Sequence, residues 1–355
     1  MKKRILISPL DWGLGHATRI VPVMRELEKQ GAEVIIAAGG RPYYFLKKAF
    51  PGNEIIEAGG YDITYPRNGN LGLHLLKKLP GMARKVKEEK KLAEKIAAEK
   101  NIDIIISDNR FAFFSERTHN VYITHQLNVK TPKGFGIANA IHRKYFGKFD
   151  EVWVPDFPGA ENLSGSLGHG TEHKKNTFYV GPLSRFSERI SSVQEKKWQV
   201  IALLSGPEPQ RTMFEEKIIE QAADLNGRVL IVRGTPEEKE EAKSAESTVV
   251  LKNHLADEEL VAEISSAEVV LSRGGYTTLC DLFYLGVPFV AVPTPGQTEQ
   301  EYLAALHSAN GNLFTMTQEK FSLREAFEKG KNLEPISIHD NERRLERAVK
   351  ELLQK

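Results

Sequence analysis

Cysteine is almost missing from this chain, and so are long apolar runs. Cys280 is the single cysteine among 355 residues, which excludes an intramolecular disulfide framework and is typical of a reducing compartment. No segment approaches the roughly 20 apolar residues that a membrane-spanning helix needs. Near the N-terminus, Asp11 and Gly13 interrupt the first apolar run, which favours a strand over a signal peptide. We therefore expect a cytoplasmic protein.

An excess of charge of either sign is also absent, because the formal net charge is +2. Bulk electrostatics gives no argument for nucleic acid as a partner, and we expect none. The composition, with 41% apolar and 27% charged residues, is that of an ordinary globular protein. The length suggests two domains.

Strand and helix patterns alternate almost throughout the chain, which predicts an α/β fold with parallel sheets. The predicted strands are residues 4–8, 33–37, 102–106, 121–124, 151–154, 178–180, 199–204, 228–232, 248–251, 268–271 and 289–292. Residues 181–194 are polar and rich in turn formers, so we place a boundary there, with domains over 1–183 and 184–340. Residues 341–355 read as an amphipathic helix that we expect to pack back on the first domain. Two such domains form a cleft at the carboxyl ends of their strands, where ligands usually bind.

Residues 267–302 carry the strongest functional signal. An apolar strand pattern ends at a turn with two glycines, Gly274 and Gly275, and a helical pattern follows and stops at Gly286. A second strand leads through a Pro/Gly loop into a helix beginning at Thr298. Glycines between a strand and a helix allow backbone N–H groups to approach a phosphate at the positive helix end.

Two polar residues extend this pattern. Thr277 and Asp281 are four residues apart, so they share one helix face. A hydroxyl would then lie at the anion, and a carboxylate one turn deeper could bind a ribose diol. The pattern therefore predicts a nucleotide-sugar site.

The same segment resembles the donor-binding signature of GT-B glycosyltransferases, in particular the branch of the peptidoglycan N-acetylglucosaminyltransferase that forms lipid II. The matching residues are Arg273, Gly274, Gly275, Tyr276, Thr277, Thr278, Asp281, the run Leu285-Gly286-Val287-Pro288, Pro293, Glu299 and Gln300. The resemblance implies that the turn binds the diphosphate, that Asp281 holds the ribose hydroxyls, and that Glu299 and Gln300 contact the donor sugar. Most relatives have Glu at the Asp281 position, and many in the wider family have His at the Arg273 position.

Three further matches are spread along the chain. Residues 11–19 form a Gly-rich loop with a histidine after the first strand, and residues 124–126 resemble a His-containing loop of the lipid II enzymes. Ser205 and Gly206, with Arg211, match the loop after the first strand of the donor domain. His254-Leu255 lies where relatives pack the uracil base.

His16 is the candidate general base, because an imidazole after a Gly-rich turn can face the cleft and accept a hydroxyl proton near neutral pH. Its alternative role is to bind phosphate or cap the helix. Asp11 is either a rival base, a group that orients His16, or a local cap. Glu301 fits a capping box with Thr298, so we leave it out of the site.

The candidate residues fall into three sets. The catalytic set is His16 and Asp11. The donor-binding set is Gly15, Ser205, Arg211, Leu255, Arg273, Gly274, Gly275, Tyr276, Thr277, Thr278, Asp281, Glu299 and Gln300. The acceptor-binding set is Asp108, Arg110 and His125, which follow strands of the first domain. We expect no metal and no cofactor, because Arg273, Arg211 or the helix N-terminus could balance the charge of UDP.

The resemblance implies an inverting transfer of a sugar from a UDP-sugar to a hydroxyl of a glycan, a lipid or a small molecule. Two alternatives remain open at this point: a UDP-sugar 2-epimerase of the same architecture, and a UDP-sugar-binding subunit without catalysis. Basic and apolar residues mix in segments 71–87 and 141–146, which would suit peripheral contact with an anionic membrane at its inner face, or equally a solvated basic surface.

Overall fold

The computed structural model describes the chain except for residues 1, 61–70, 130–143, 171–175, 189–194, 207, 226, 239–243 and 247. For residues 71–80, 82–83 and 244–246 it describes the backbone alone. The described residues divide into two compact units. The first contains residues 2–60, Gly72–Leu183 and Asp340–Lys355, and the second contains Ser184–His339.

The first unit is a parallel sheet with helices. Its elements are β1 (Arg4–Pro9), α1 (Gly15–Lys29), β2 (Glu33–Ala38), α2 (Gly40–Ala49), β3 (Ile55–Glu57), α3 (Leu71–Glu99), β4 (Ile104–Asp108), β5 (His119–Ile123), β6 (Glu151–Val154), β7 (Thr177–Tyr179) and the C-terminal α9 (Arg344–Leu352). The strand order is β3-β2-β1-β4-β5-β6-β7, and every neighbouring pair is parallel. The strands are nearly continuous apolar runs because both faces of such a sheet are covered.

The C-terminal helix packs on the first unit. Val349 and Leu352 of α9 belong to the same buried cluster as Val21 and Met24 of α1. The side-chain amide of Gln30, just after α1, also donates to a backbone carbonyl of α9 at 3.0 Å. The apolar stripe of this charged helix is thereby removed from water.

The second unit repeats the architecture. Its elements are β8 (Trp198–Leu203), α4 (Gln210–Ala222), β9 (Val229–Val232), β10 (Ser244–Glu246), β11 (Val249–Lys252), α5 (Asp257–Ser265), β12 (Ala267–Ser272), α6 (Tyr276–Leu285), β13 (Phe289–Ala291), α7 (Thr298–Ala309), β14 (Phe314–Thr315) and α8 (Leu323–Gly330). The order is β10-β11-β9-β8-β12-β13-β14. Only the edge pair β10–β11 of the described ladders is antiparallel.

Both sheets are doubly wound, as predicted, and each has a point where the strand order reverses. In the first unit this point lies between β1 and β4, and in the second between β8 and β12. Open α/β sheets bind ligands outside the carboxyl ends of the strands at such points. The loops that follow these four strands are therefore where each unit is expected to bind.

Every predicted strand is present, and its ends lie within two residues of the predicted ends. Three short strands, β3, β10 and β14, were not predicted. Each has only two or three residues, too few to show a periodic pattern.

Candidate functional site

A buried polar cluster lies at the reversal point of the first unit. Asp108 is the last residue of β4 and pairs in register with Pro9, the last residue of β1. The loop after β1 leads into α1, whose first turns carry His16 and Arg19. These two residues are three apart and so lie on one helix face. The topology thus brings both of them to the fully buried Asp108.

The cluster is closely hydrogen-bonded. His16 Nδ1 lies 2.8 Å from Asp108 Oδ1. Arg19 donates through Nε to Asp108 Oδ2 at 2.8 Å and through Nη2 to Oδ1. Arg19 Nη1 lies 2.6 Å from Nδ1 of His125, which follows β5. The structure therefore joins residues from three elements around one guanidinium.

Asp108 is ionised in this setting. Burial raises its pKa, but the interactions of the carboxylate with Arg19 and His16 outweigh burial and hold the pKa at about 2. An ionised carboxylate can only accept, so a proton on His16 Nδ1 is donated to Oδ1. In a neutral ring of that tautomer, Nε2 of His16 keeps its lone pair. The His16 side chain is 15% exposed, and this arrangement can accept a proton from a bound hydroxyl.

This geometry shows a carboxylate partner of His16, Asp108, while the role predicted for Asp11 stays a prediction. Asp108, predicted as an acceptor contact, is the carboxylate that bonds and orients His16. The carboxylate of Asp11 instead lies against Gly60, where an added Cβ would come within 1.7 Å of Oδ2. Asp108 is 92 residues from His16 in the sequence, so no local pattern links the two residues.

Arg110, also predicted as an acceptor contact, makes several internal contacts. Its side chain is buried, and its guanidinium donates to Glu89 at 2.6 Å, to Ser8 Oγ at 3.1 Å and to the Gly59 carbonyl at 2.8 Å. A buried guanidinium bonded in three directions stabilises the first unit, and the acceptor contact of Arg110 stays a prediction.

The predicted phosphate turn of the second unit follows β12. Gly274 has φ +68°, in the left-handed region that favours glycine. A Cβ at Gly274 would also lie 3.0 Å from the Ala291 Cβ of β13. Gly275 is the N-cap of α6, and the first turn of this helix has no acidic residue. The positive end of α6 therefore meets no carboxylate or capping side chain from its own first turn, which suits an anion.

Asp281 lies one turn into α6 and is buried. Its Oδ1 accepts a hydrogen bond from Ser184 Oγ at 2.5 Å, and its Oδ2 lies 3.5 Å from Arg185 Nε. Burial raises the pKa of Asp281 to about 6, although Arg185 and Ser184 oppose the rise and Asp257 adds to it. This carboxylate therefore changes charge close to neutral pH.

Ser184 and Arg185 were missed by the sequence analysis as partners of the site. Arg185 also donates to Asp257 at 2.9 Å, at the start of α5. Both residues lie in the turn-rich segment before β8, which the sequence marks as a connection. No local pattern there indicates that a hydroxyl and a guanidinium reach a helix about 100 residues later.

Arg273 and Arg211, predicted to balance phosphate charge, are committed to internal contacts. Arg273 is buried; it donates to Gln318 Oε1 at 2.6 Å and to two backbone carbonyls, and it lies over the Phe214 ring. Burial lowers its pKa to about 9. Arg211 is buried between Glu208 and Glu215, at 2.5 and 2.7 Å. Both arginines thus support the second unit, and their predicted contacts with the donor stay predictions.

Gln300 lies beside the phosphate turn. Its Nε2 is 3.9 Å from the position a Cβ of Gly275 would take, and its Oε1 accepts from the Thr294 N–H at 2.8 Å. Gln297, rather than Thr298, caps α7 by accepting from the N–H groups of Glu299 and Gln300. Glu301 holds the preceding loop instead of closing a capping box, since it accepts from the Gly296 N–H.

The remaining predicted donor residues are distributed over both units. Leu255, Tyr276 and Thr277 are buried, and Ser205 and Thr278 are half-buried. Gly15 is the first residue of α1, and its carbonyl accepts from Thr18 Oγ1 at 3.1 Å. The two basic segments considered for membrane contact fall largely on residues or side chains outside the described part.

Within the described part of the chain, no group of three or more His, Cys, Asp or Glu side chains is arranged to hold a metal ion. Among the described helices, none combines the length and apolarity needed to cross a membrane.

Comparison with known proteins identifies the family to which the chain belongs. A model described as glycosyl transferase family 1 matches residues 3–321. A relative from Methanosarcina acetivorans, described as an uncharacterized glycosyltransferase, is 24% identical over 330 residues, covering 87% of this chain and 84% of the relative. The glycosyltransferase SsfS6 of Streptomyces sp. SF2575, solved with thymidine diphosphate, has a TM-score of 0.58 and 15% identity, covering 99% of this chain and 95% of that one. MurG of Acinetobacter baumannii has a TM-score of 0.53 and 14% identity, covering 100% and 99%.

Proposed function

Because the chain belongs to glycosyl transferase family 1 and is a glycosyltransferase, we propose that it moves a sugar from a UDP-sugar to an acceptor hydroxyl, with inversion and without a metal ion or other cofactor. The observation that carries this proposal is the His16–Asp108 pair. An ionised, fully buried carboxylate holds Nδ1 of His16 and leaves Nε2 as a proton acceptor.

The reaction follows from that pair. The acceptor hydroxyl gives its proton to Nε2 of His16, and its oxygen forms a bond to the anomeric carbon. The bond from that carbon to the diphosphate oxygen breaks, and UDP leaves with the electron pair. Attack on the face opposite the leaving group inverts the anomeric centre. Asp108 stabilises the imidazolium that forms.

The donor side of the proposal is supported by the turn of the second unit. The glycines at 274 and 275 and the N-terminus of α6 suit a diphosphate. Asp281 supplies a carboxylate for ribose hydroxyls, and Gln300 lies beside the turn where a sugar could follow the diphosphate. SsfS6 was solved with thymidine diphosphate, so thymidine diphosphate should be compared with UDP when nucleotide binding is measured.

For the acceptor we propose a hydroxyl on a glycan, a lipid or a small molecule of the cell envelope, used on the cytoplasmic side with peripheral membrane contact where the acceptor is lipid-linked. Inversion is read by nuclear magnetic resonance of the anomeric proton in the product. A product with the donor's own anomeric configuration would contradict it.

His16→Ala tests the base. We expect kcat to fall by about 10²–10⁴-fold while the Kd for UDP changes little, because a general base acts on the acceptor and not on the donor. His339→Ala removes an exposed histidine of the second unit and should leave both values unchanged. If His16→Ala weakens UDP binding and leaves kcat intact, His16 is a phosphate ligand and the mechanism fails.

A further inference from the structure

We propose that Arg19 is a positioning residue whose fixed charge balances Asp108, so that His16 remains neutral and free to act as a base. This inference rests on the proposed function. It concerns a residue that touches neither donor nor acceptor in the mechanism above, and it follows from the contacts of one guanidinium.

All three guanidinium nitrogens of Arg19 make contacts. Arg19 and Asp108 are both buried, at 1% and 0% exposure. Nε and Nη2 reach the two carboxylate oxygens as a fork. Nη2 and His16 Nδ1 lie 2.9 Å apart, and both approach the same oxygen, Oδ1, of Asp108. A guanidinium has donors only, so the carboxylate is paired with a cation through two charge-assisted hydrogen bonds.

Removing that cation would leave a buried carboxylate that needs another partner, since an unpaired buried charge is very costly. His16 is the other titratable group bonded to Asp108. It could take up a proton and become the counter-ion. Alternatively, Asp108 could become protonated and donate to Nδ1, which would place the ring hydrogen on Nε2. Both outcomes remove the lone pair that accepts the proton.

His125 completes the arrangement from a third element. Arg19 Nη1 points at His125 Nδ1, 2.6 Å away, and only a neutral ring can accept from a guanidinium at that nitrogen. The charged and titratable groups that the structure shows bonded to Arg19 include His16 from its own helix, Asp108 from β4 and His125 from the loop after β5. The third bond keeps the guanidinium from rotating away from the carboxylate.

The first test reads protonation directly by ¹⁵N magnetic resonance of histidine-labelled protein at pH 7.5, with the His16 signals assigned through His16→Gln. We expect a neutral His16 ring protonated at Nδ1. In Arg19→Met we expect either an imidazolium or a neutral ring protonated at Nε2. Arg25→Met, which removes an exposed arginine of the same helix, should match the wild type. A wild-type His16 that is already an imidazolium, or protonated at Nε2, would overturn the proposal without any variant.

The second test uses the pH profile of sugar transfer. Arg19→Met should lower kcat/KM at pH 7 by about tenfold or more and move the acid limb up by about one pH unit or more, with recovery near pH 9. Arg19→Lys keeps the charge, so its acid limb should stay near that of the wild type. A uniform loss at every pH in both variants would mean that Arg19 only supports the fold.

The two proposals fail separately. If no UDP-sugar supports transfer but the resonance pattern is as expected, the proposed function falls and the role of Arg19 stands. If transfer occurs but the His16 ring is unchanged in Arg19→Met, the role of Arg19 falls alone. If Arg19→Met does not fold, the pH profile of Arg19→Lys and the spectrum of the wild type still test the role of Arg19.

Discussion

Single residues show that the two units hold buried carboxylates with very different pKa values. Asp108 is paired with a buried guanidinium and has a pKa of about 2. Asp281 is also buried, but Arg185 and Ser184 do not outweigh burial, and its pKa is about 6. The first carboxylate is a permanent anion, and the second can be switched by a small change of pH. Both states follow from the number and geometry of the cations nearby.

Asp281→Ala tests the ribose assignment. The change removes a charged hydrogen-bonding partner worth about 1.5–3 kcal/mol, so UDP affinity should fall by about ten- to a hundredfold. Titration calorimetry at pH 7.5 measures the change. Asp224→Ala, at an exposed position of the same unit, serves as the matched control. Equal affinities in wild type and Asp281→Ala would remove Asp281 from the site.

Single residues also mark the limit of prediction from sequence. His16 was identified because a Gly-rich turn precedes it, and Asp108 because it ends a strand. Their pairing depends on the β1–β4 register, which no local pattern contains. Arg273 and Arg211 looked like phosphate ligands because the chain places them in the motif loops. Both arginine side chains are buried, and the sequence does not show which side chains are buried.

At the scale of elements, the phosphate turn depends on a backbone conformation as well as on residue type. The start of α6 and of α7 could be predicted because glycine turns and helical spacing are local signals. The cap of α7 was assigned one residue too late, because Gln is a weaker N-cap signal than the neighbouring Thr. The backbone path was predictable here, but the side-chain partners were not.

Gly274→Ala should destabilise the second unit by about 1–3 kcal/mol. The residue has a positive φ, and the new Cβ would contact Ala291 at 3.0 Å. Gly311→Ala is the matched control, because Gly311 has φ +76° with nothing within 4 Å of the added Cβ. It should show the backbone strain without the contact. Urea unfolding measures both free energies, and an equal cost would show that the approach of β13 to the turn is unimportant.

At the scale of the whole molecule, the two sheets share one plan, and the GT-B class predicted from the sequence resemblance is confirmed by the family match and the solved structures. The alternation of strand and helix is enough to predict the doubly wound class. Each candidate site lies at the reversal point of its own sheet. The identity of the acceptor cannot be predicted in this way, because the loops that bind an acceptor follow no periodic sequence pattern.

Stability should depend on pH through Asp281. Its folded pKa is raised from 3.8 to about 6, so the folded state binds the proton more tightly than the unfolded state. The resulting stabilisation is complete below pH 3.8 and is lost as pH rises through about 6, a difference of about 3 kcal/mol. Asp281→Asn, which cannot ionise, should therefore be more stable than wild type at pH 8 and similar to it at pH 4. Thermal unfolding in both buffers measures this, and an equal offset at both pH values would contradict it.

The central claim is that the second unit binds a UDP-sugar without a metal. The most direct measurement is titration calorimetry of UDP, GDP, thymidine diphosphate and ADP in EDTA, followed by the common UDP-sugars. We predict selective binding of UDP that one sugar tightens. Binding of none of the four nucleotides would contradict the account and would make the Gly274–Gln300 motif an architectural feature alone.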